Sequence, residues 1–303
     1  MSSRVLAGLG ASLVLLAGCG RAAGPAGNAS SGRVQVVAAE NFWGSIATQL
    51  GANKVAVQSI IVNPSTDPHS YEPTAGDGIA LARSQMAIVN GIGYDNWARK
   101  LIDANPSGSR QVLDVGGLLG LKEGDNPHQW YSPNSVQRVV SAITADYTRL
   151  DPQASAYFAS QRAAFQKHGL AEYHRLIAQI RARYAGVPVG YSESIFQPLG
   201  QALGLRLMTP YSFAKAIAEG TDVTAQDKQT VDTEAQKRQI KVWVYNSQNA
   251  TPDVQRVNAL ARSAGIPVTT ITETLSPASA TFEQWQVTEL TSLQQALHQA
   301  TGR

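Results

Sequence analysis

Short apolar runs alternate with amphipathic stretches along residues 34–115. Short apolar runs bounded by polar or glycine positions predict buried strands, whereas apolar positions three and four apart predict helices. Their alternation is typical of a parallel sheet covered by helices, and ligands bind such sheets beyond the carboxyl ends of the strands. The predicted strands of this half cover residues 34–39, 55–62, 86–90 and 111–115, and its predicted helices cover residues 42–50, 74–84 and 94–102.

A long helical pattern occupies the middle of the chain. Residues 135–150 predict one helix, and residues 154–184 contain no proline and a single glycine, Gly169. Apolar positions three and four apart in the second stretch predict an amphipathic helix about 45 Å long, enough to run along two lobes and join them. The recurring residues are Tyr173, Leu176, Ile177, Ile180 and Tyr184.

The alternation of strands and helices resumes after Gly186. The fold class is therefore predicted as α/β, with two lobes of parallel sheet flanked by helices, joined by one long rigid helix. The predicted boundaries are 34–153 for the N-terminal lobe, 154–185 for the linking helix and 186–303 for the C-terminal lobe. The strands predicted in the last lobe cover residues 187–191, 206–209, 241–245 and 268–271, and its helices cover residues 196–203, 251–264 and 282–300.

The N-terminus has the features of a targeting segment. One basic residue precedes a short apolar stretch, and residues 1–18 are predicted to be a signal peptide. Leu16-Ala17-Gly18-Cys19 matches a bacterial lipobox, so Cys19 is predicted to be lipidated; the alternative is an ordinary secretory signal. Residues 19–33, rich in Gly, Ala and Ser, predict a flexible tether. Since Cys19 is the one cysteine, no intrachain disulfide can form.

The charge pattern argues against one class of partner. Charged residues make up 16% of the chain, the formal net charge is +3, and the basic residues are scattered. A nucleic-acid-binding domain usually concentrates Lys and Arg in a patch or stripe. Nucleic acid is therefore not an expected partner.

Two of the five histidines share a local phrase. Asp67-Pro68-His69 and Asn126-Pro127-His128 each precede an aromatic residue and a second proline. Proline restricts its own backbone and that of the preceding residue, so both imidazoles are presented from stiff loops, as a metal site requires. The alternative is a pair of loop histidines that cap backbone groups. Surface positions are predicted for the other histidines, His168, His174 and His298.

Two glutamates occupy matching places in the second lobe. Glu193 and Glu273 each follow a predicted strand and are flanked by hydroxyl residues that could hydrogen-bond a carboxylate. The alternative is that either one caps a helix or faces solvent. With His69 and His128 they form a set whose charge of about −2 neutralises a divalent cation. Two oxygen donors favour Mn²⁺ or Fe²⁺, although Zn²⁺ usually binds such sites tightly as well.

The motifs around these residues resemble those of a known family. Residues 67–73 resemble D-P-H-x-Y-E-P, the first ligand motif of metal-binding solute receptors of bacterial zinc/manganese-type ABC importers. Residues 126–133 resemble the second motif, with Asn126 and Ser132 in place of acids, and residues 193–205 align without gaps to the third. The family usually has Asp at the position of Glu273, and the Glu273 side chain is one methylene longer. The resemblance is therefore weakest for the fourth ligand.

The resemblance implies a specific function. The expected protein is a monomeric lipoprotein, not an enzyme, that is held on the outer face of the cell membrane. It would capture a divalent metal ion as its transported ligand and deliver it to an ABC permease and its ATPase. Glu193, and the lack of histidine in residues 116–125, favour Mn²⁺ over Zn²⁺, with Fe²⁺ also possible.

Three other functions remain open at this stage. A lipoprotein that binds a chelated metal, such as a siderophore or cobalamin, would use a wide cleft between similar lobes. A metal-dependent hydrolase would need an open coordination position and a general base, and the sequence lacks G-x-S-x-G, P-loop and H-E-x-x-H motifs. An adhesin or scaffold would keep the fold and lose metal affinity.

Overall fold

The computed structural model describes residues 32–66, 68 and 71–303. Residues 33–303 form one compact unit. The predicted signal peptide, the lipidation site Cys19 and the first histidine, His69, lie outside the described residues. Across the part that is described, no helix is both long and apolar enough to cross a membrane.

In the described part of the chain, eight strands form two parallel sheets, as the alternating pattern predicted. The first sheet has the order β2-β1-β3-β4 and the second the order β6-β5-β7-β8, so the two have the same topology. Parallel pairing throughout brings the carboxyl ends of the strands in each sheet to one edge. The strands are β1 (Val34–Glu40), β2 (Val55–Ile61), β3 (Met86–Val89), β4 (Gln111–Asp114), β5 (Pro188–Tyr191), β6 (Arg206–Leu207), β7 (Val242–Asn246) and β8 (Val268–Ile271).

Twelve α-helices flank the sheets within the described residues. Several begin at the caps that their sequence provides, for example Thr74 and Thr281, each of which forms a capping box with the residue three positions on. The helices are α1 (Asn41–Gly51), α2 (Ala75–Arg83), α3 (Asn96–Ala104), α4 (Val115–Leu119), α5 (Pro133–Leu150), α6 (Ser155–Ala164), α7 (Ala171–Tyr184), α8 (Gln197–Ala202), α9 (Tyr211–Ala218), α10 (Ala225–Gln236), α11 (Pro252–Ser263) and α12 (Phe282–Thr301).

Three of these helices were not predicted from the sequence. They are α4, α9 and α10. Helix α10 reads Ala-Gln-Asp-Lys-Gln-Thr-Val-Asp-Thr-Glu-Ala-Gln and buries Val231, Glu234 and Ala235, so its apolar stripe is too sparse to recognise by periodicity. Its start was marked only by Thr224, whose side chain accepts a hydrogen bond from the Asp227 amide.

The segment predicted as one helix over residues 154–184 is helical but divided. Helix α6 continues into a π-helical turn, Phe165–Gly169, before α7 begins. A Cβ on Gly169 would lie 2.9 Å from the Phe165 ring, so the wide turn depends on glycine here. Helix α7 packs against α12, the closing helix of the chain.

The largest hydrophobic cluster of the described residues runs through both sheets. It includes Ile88 and Val140 on the side of the first sheet, and Val189 and Val244 from the second. Because these residues belong to one cluster, the two lobes share their interior. The lobe boundaries at residues 153 and 186 therefore remain a prediction, because this shared cluster does not separate the lobes there.

Candidate metal centre

Three of the four predicted metal ligands meet at one point. His128 precedes a 3₁₀ helix at Gln129–Tyr131, Glu193 follows β5 and Glu273 follows β8. The His128 Nε2 atom lies 4.0 Å from Glu193 Oε1 and 3.6 Å from Glu273 Oε1. One ligand atom from each residue lies within 4.8 Å of the others. His69, the fourth predicted ligand, is outside the described residues.

The centre is almost wholly removed from solvent. The exposed fractions of His128, Glu193 and Glu273 are 0%, 1% and 6%. Burial lowers the pKa of the His128 imidazole to about 4, so the ring is neutral near pH 7. A neutral imidazole is the form that binds a metal ion.

Asn126 fixes the orientation of the His128 ring. Its Nδ2 donates hydrogen bonds to the Ser194 carbonyl at 2.8 Å and to Gln197 Oε1 at 3.0 Å, which sets the direction of the amide. Its Oδ1 then accepts from the His128 backbone N–H and lies 2.8 Å from His128 Nδ1. Since Oδ1 can only accept, Nδ1 carries the proton and Nε2 directs its lone pair at the two carboxylates.

The two glutamates are linked by one asparagine that the sequence analysis missed. Asn246 ends β7 and is fully buried. Its Nδ2 donates to Glu193 Oε2 at 2.9 Å and to Glu273 Oε1 at 3.0 Å. Tyr94, also missed, donates its hydroxyl to Glu273 Oε2 at 2.9 Å. The signal for Asn246 was a polar residue that closes an apolar strand between the two glutamate-bearing strands.

The surroundings of Glu193 disfavour the charged form of its carboxyl group. Burial raises the pKa of the Glu193 carboxyl well above its ordinary value, and the negative charge of Glu273 raises it further. The partial positive charge of the Asn246 amide compensates for only part of this cost. A divalent cation between the carboxylates would compensate for the rest, so the donor set fits such an ion.

The hydroxyl residues beside the glutamates hold other groups in place. The Ser192 Oγ accepts a hydrogen bond from the Asn246 backbone amide at 3.0 Å. Thr272 donates to Glu289 at 3.0 Å. Gln248 accepts from the Glu273 amide at 2.6 Å. The neighbouring residues therefore position the backbone that carries each ligand.

The segment that carries His128 is hydrogen-bonded to the second lobe. The single proton of the Tyr131 hydroxyl is within reach of two acceptors, Glu289 Oε2 at 2.6 Å and the Thr272 carbonyl at 2.9 Å. Burial raises the pKa of the Glu289 carboxyl to about 8. Because Thr272 precedes Glu273 directly, these bonds fix the spacing between His128 and one carboxylate without a metal ion.

A cavity of about 620 Å³ adjoins the centre. Glu193 and Glu273 line its inner wall, and Gln248 and Asn249 are beside them. Thr66 and Pro68 line the same cavity from the first lobe, in the segment to which His69 belongs. The route to the carboxylates therefore passes Thr66 and Pro68.

Comparison with known proteins identifies the family. The family described as ZnuA, zinc-uptake complex component A periplasmic, matches residues 36–296. The manganese-binding lipoprotein MntA of Halalkalibacterium halodurans is 26% identical over 202 residues, which cover 63% of this chain and 64% of that protein. The zinc-binding lipoprotein AdcA of Streptococcus pneumoniae is 22% identical over 262 residues, covering 78% of this chain and 48% of that protein. The chain thus spans about half to two thirds of these curated relatives.

Solved structures share the fold. The Mn-bound periplasmic metal-binding protein of Candidatus Liberibacter asiaticus has a TM-score of 0.72 at 18% identity. The match covers 88% of this chain and 100% of that protein. Zn(II)-bound AdcA of Streptococcus pneumoniae has a TM-score of 0.67 at 18% identity, covering 88% of this chain and 58% of that one. The predicted two-lobed α/β class is confirmed by these neighbours. With a family match over most of its length, the chain belongs to the ZnuA family of periplasmic metal-binding, solute-binding proteins.

Proposed function

We propose that this protein captures a divalent transition-metal ion outside the cytoplasm and delivers it to an ABC permease and its ATPase. The observation that carries the proposal is the buried convergence of His128, Glu193 and Glu273. Three metal-ligating groups with so little solvent contact are costly to bury unless a cation joins them. Membership of a family of metal-binding solute receptors supports the same conclusion.

The proposed site is completed by His69. It follows Pro68, whose side chain lines the cavity that reaches Glu193 and Glu273. A second neutral imidazole would bring the set to two nitrogen and two carboxylate donors. That set accommodates Mn²⁺, Fe²⁺ and Zn²⁺. Manganese, iron and zinc each appear in the name of a relative.

The proposed location is the outer face of the cell membrane. Lipidation at Cys19 would anchor the chain, and the relatives named as lipoproteins support this part of the proposal. The receptor is proposed to act as a monomer. Transport, with no chemical conversion of the ion, is the proposed activity.

The cavity favours one alternative. A volume of about 620 Å³ exceeds what a bare ion needs and could hold a small chelator around the metal. The buried ligand set argues for the bare ion, because a chelated metal brings its own donors. Titration with free and chelated metal separates the two.

The proposal is tested by metal analysis and calorimetric titration of the full chain purified in detergent. One ion of Mn²⁺, Zn²⁺ or Fe²⁺ per chain is expected, with loss of affinity in His69→Ala and His128→Ala. His168→Ala is the matched control, because His168 is an exposed histidine. Unchanged binding in both ligand variants would overturn the proposal, and binding only of chelated metal would favour the alternative.

A further inference from the structure

Glu193 has two carboxylate oxygens in very different surroundings. Its Oε1 is the atom 4.0 Å from His128 Nε2, at the point where the ligands converge. Its Oε2 accepts one hydrogen bond from Asn246 Nδ2 at 2.9 Å and a second from Asn249 Nδ2 at 3.2 Å. A carboxylate oxygen has two in-plane lone pairs, so two N–H donors leave Oε2 without one for a metal ion.

The directions of both amides are fixed by further contacts. Asn246 Oδ1 accepts from the Gln248 backbone amide at 3.0 Å, which turns its Nδ2 toward the carboxylates. Asn249 Nδ2 also donates to the Ile217 carbonyl at 3.1 Å, so the N–H side of that amide must face Glu193. Neither amide can be reversed without placing oxygen against oxygen.

We propose that Asn246 and Asn249 restrict Glu193 to binding the metal through Oε1 alone, and that this restriction favours a four-coordinate ion such as Zn²⁺ over Mn²⁺. The inference rests on the proposed function and adds a selectivity mechanism to it. Asn246 and Asn249 are positioning residues, since they act through Glu193.

The physical basis is the coordination number that each ion prefers. Zn²⁺ is well satisfied by four ligands, whereas Mn²⁺ in oxygen-rich sites usually takes about six. A glutamate that binds through both oxygens supplies one of the extra positions. Because the hydrogen bonds occupy Oε2, that coordination position is not available, and the affinity for Mn²⁺ falls more than the affinity for Zn²⁺. Ligand types alone favoured Mn²⁺; the hydrogen bonds favour Zn²⁺.

The test compares Asn249→Ala and Asn246→Ala with the unaltered full chain. X-ray absorption spectra of the Zn²⁺- and Mn²⁺-loaded proteins measure coordination number, and competition with a chromophoric chelator measures affinity. In the unaltered chain Glu193 is expected to bind through one oxygen. In Asn249→Ala the Mn²⁺ site should gain one oxygen ligand, and the ratio of Zn²⁺ to Mn²⁺ affinity should fall about tenfold.

Asn258→Ala is the matched control. Asn258 is another buried amide of this lobe, and its Oδ1 accepts from the Trp243 indole at 2.7 Å. It should lower stability and leave the affinity ratio unchanged. Asn246→Ala removes a fully buried side chain, whereas Asn249 is half-buried, so Asn249→Ala keeps the test open if the other variant fails to fold.

The outcomes separate this inference from the proposed function. Two-oxygen binding by Glu193 in the unaltered chain, or an unchanged coordination number and affinity ratio in Asn249→Ala, overturns the inference and leaves the receptor function intact. Failure of the unaltered chain to bind any of the free ions overturns both.

Discussion

The two sheets have the same strand order, and each has a glutamate and an asparagine at corresponding positions. In the first sheet Ala38 pairs with Ile88, so two residues further on Glu40 corresponds to Asn90. In the second sheet Tyr191 pairs with Val244, and two residues further on Glu193 corresponds to Asn246. All four of these polar residues are buried. The same pair of positions in the two sheets therefore carries the same residue types in different surroundings.

The difference lies in what each asparagine contacts. Asn246 donates to Glu193, one of the proposed ligands. Asn90 donates instead to the Pro127 carbonyl at 2.9 Å and accepts from the Trp43 indole at 3.0 Å. Asn90 thus supports the segment that carries His128. Glu40, the glutamate beside it in the first sheet, is not among the residues that converge at the candidate centre.

Glu40 occupies an unfavourable place for a charged group. Burial raises the pKa of its carboxyl well above its ordinary value, and the negative charge of Asp95 raises it further. Asp95, which accepts from the backbone amides of Asn90 and Gly91, itself has a pKa raised to about 6 by burial. The last strand of each sheet adds a second contrast: counted on from the paired residues, Gly117 corresponds to Glu273, and Gly117 lies in helix α4. A position after a strand brings a carboxylate to the edge of the sheet. Whether that carboxylate meets other metal-binding groups depends on the residues that surround it.

The largest predicted effect separates the two glutamates by metal affinity. Glu193→Gln should weaken metal binding by about 100-fold or more, because an anionic ligand is lost. Glu40→Gln, the matched substitution in the other lobe, should stay within about threefold of the unaltered chain. Calorimetric titration with Zn²⁺ and Mn²⁺ measures both. Equal losses in the two variants would mean that the lobes do not differ as described.

The next effect concerns the asparagine of the first lobe. Asn90→Ala should lower the free energy of unfolding by about 2–3 kcal/mol, because the Trp43 indole N–H and the Pro127 carbonyl lose their partner. Urea denaturation of the metal-free protein measures the change. Asn105→Ala is the control, since that amide only bonds a backbone carbonyl of its own helix and should cost less than about 0.5 kcal/mol. A loss no larger than that of the control would contradict the supporting role of Asn90.

A smaller effect should appear in the pH dependence of stability. The pKa of Glu40 in the folded state is above its ordinary value of 4.5. Its contribution to the free energy of unfolding is therefore fully present below pH 4.5 and is lost as pH rises through the folded-state pKa. Glu40→Gln should therefore stabilise the metal-free protein by about 1–2 kcal/mol at pH 8 and by less at pH 5. Denaturation at the two pH values tests this, and a stability gain at pH 5 equal to that at pH 8 would refute it.

The smallest predicted effect involves a buried acid of the second lobe outside the centre. Burial raises the pKa of Glu234 to about 7, and a hydrogen bond from Thr209 partly opposes the shift. Its stabilising contribution is present below pH 4.5 and is lost as pH rises through about 7. Glu234→Gln should flatten the stability profile between pH 5 and pH 8 by about 1 kcal/mol, with unchanged metal affinity. A profile as steep as that of the unaltered chain would assign the slope to other groups.

The sequence was sufficient for the features that repeat. Alternating apolar runs predicted the eight strands that the described residues form, and strand-end position placed Glu193 and Glu273 together because parallel strands finish at one edge. The phrase around His128 predicted a rigid presentation, which Asn126 and the following 3₁₀ helix provide. Periodicity and chain direction were enough for these features.

Other features depend on contacts that sequence spacing does not encode. Tyr94 reaches Glu273 across 179 residues, and only folding brings the two together. Asn246 closes an apolar strand as Asn90 follows one, yet the direction of each amide depends on Gln248 or on Trp43. The two-amide environment of Glu193 Oε2 therefore could be recognised only in three dimensions.

The aromatic neighbours of His128 make the centre visible to optical spectroscopy. The Trp130 ring is fully buried, with its centroid 5.2 Å from that of His128, and it stacks on Phe42 at 4.0 Å. Indole emission responds to nearby charge, so a cation on His128 should change the fluorescence of Trp130, and Trp130→Phe would identify its share of the signal. Trp130 is thus an intrinsic fluorophore beside the candidate metal centre, and we expect its emission to report metal occupancy without a label.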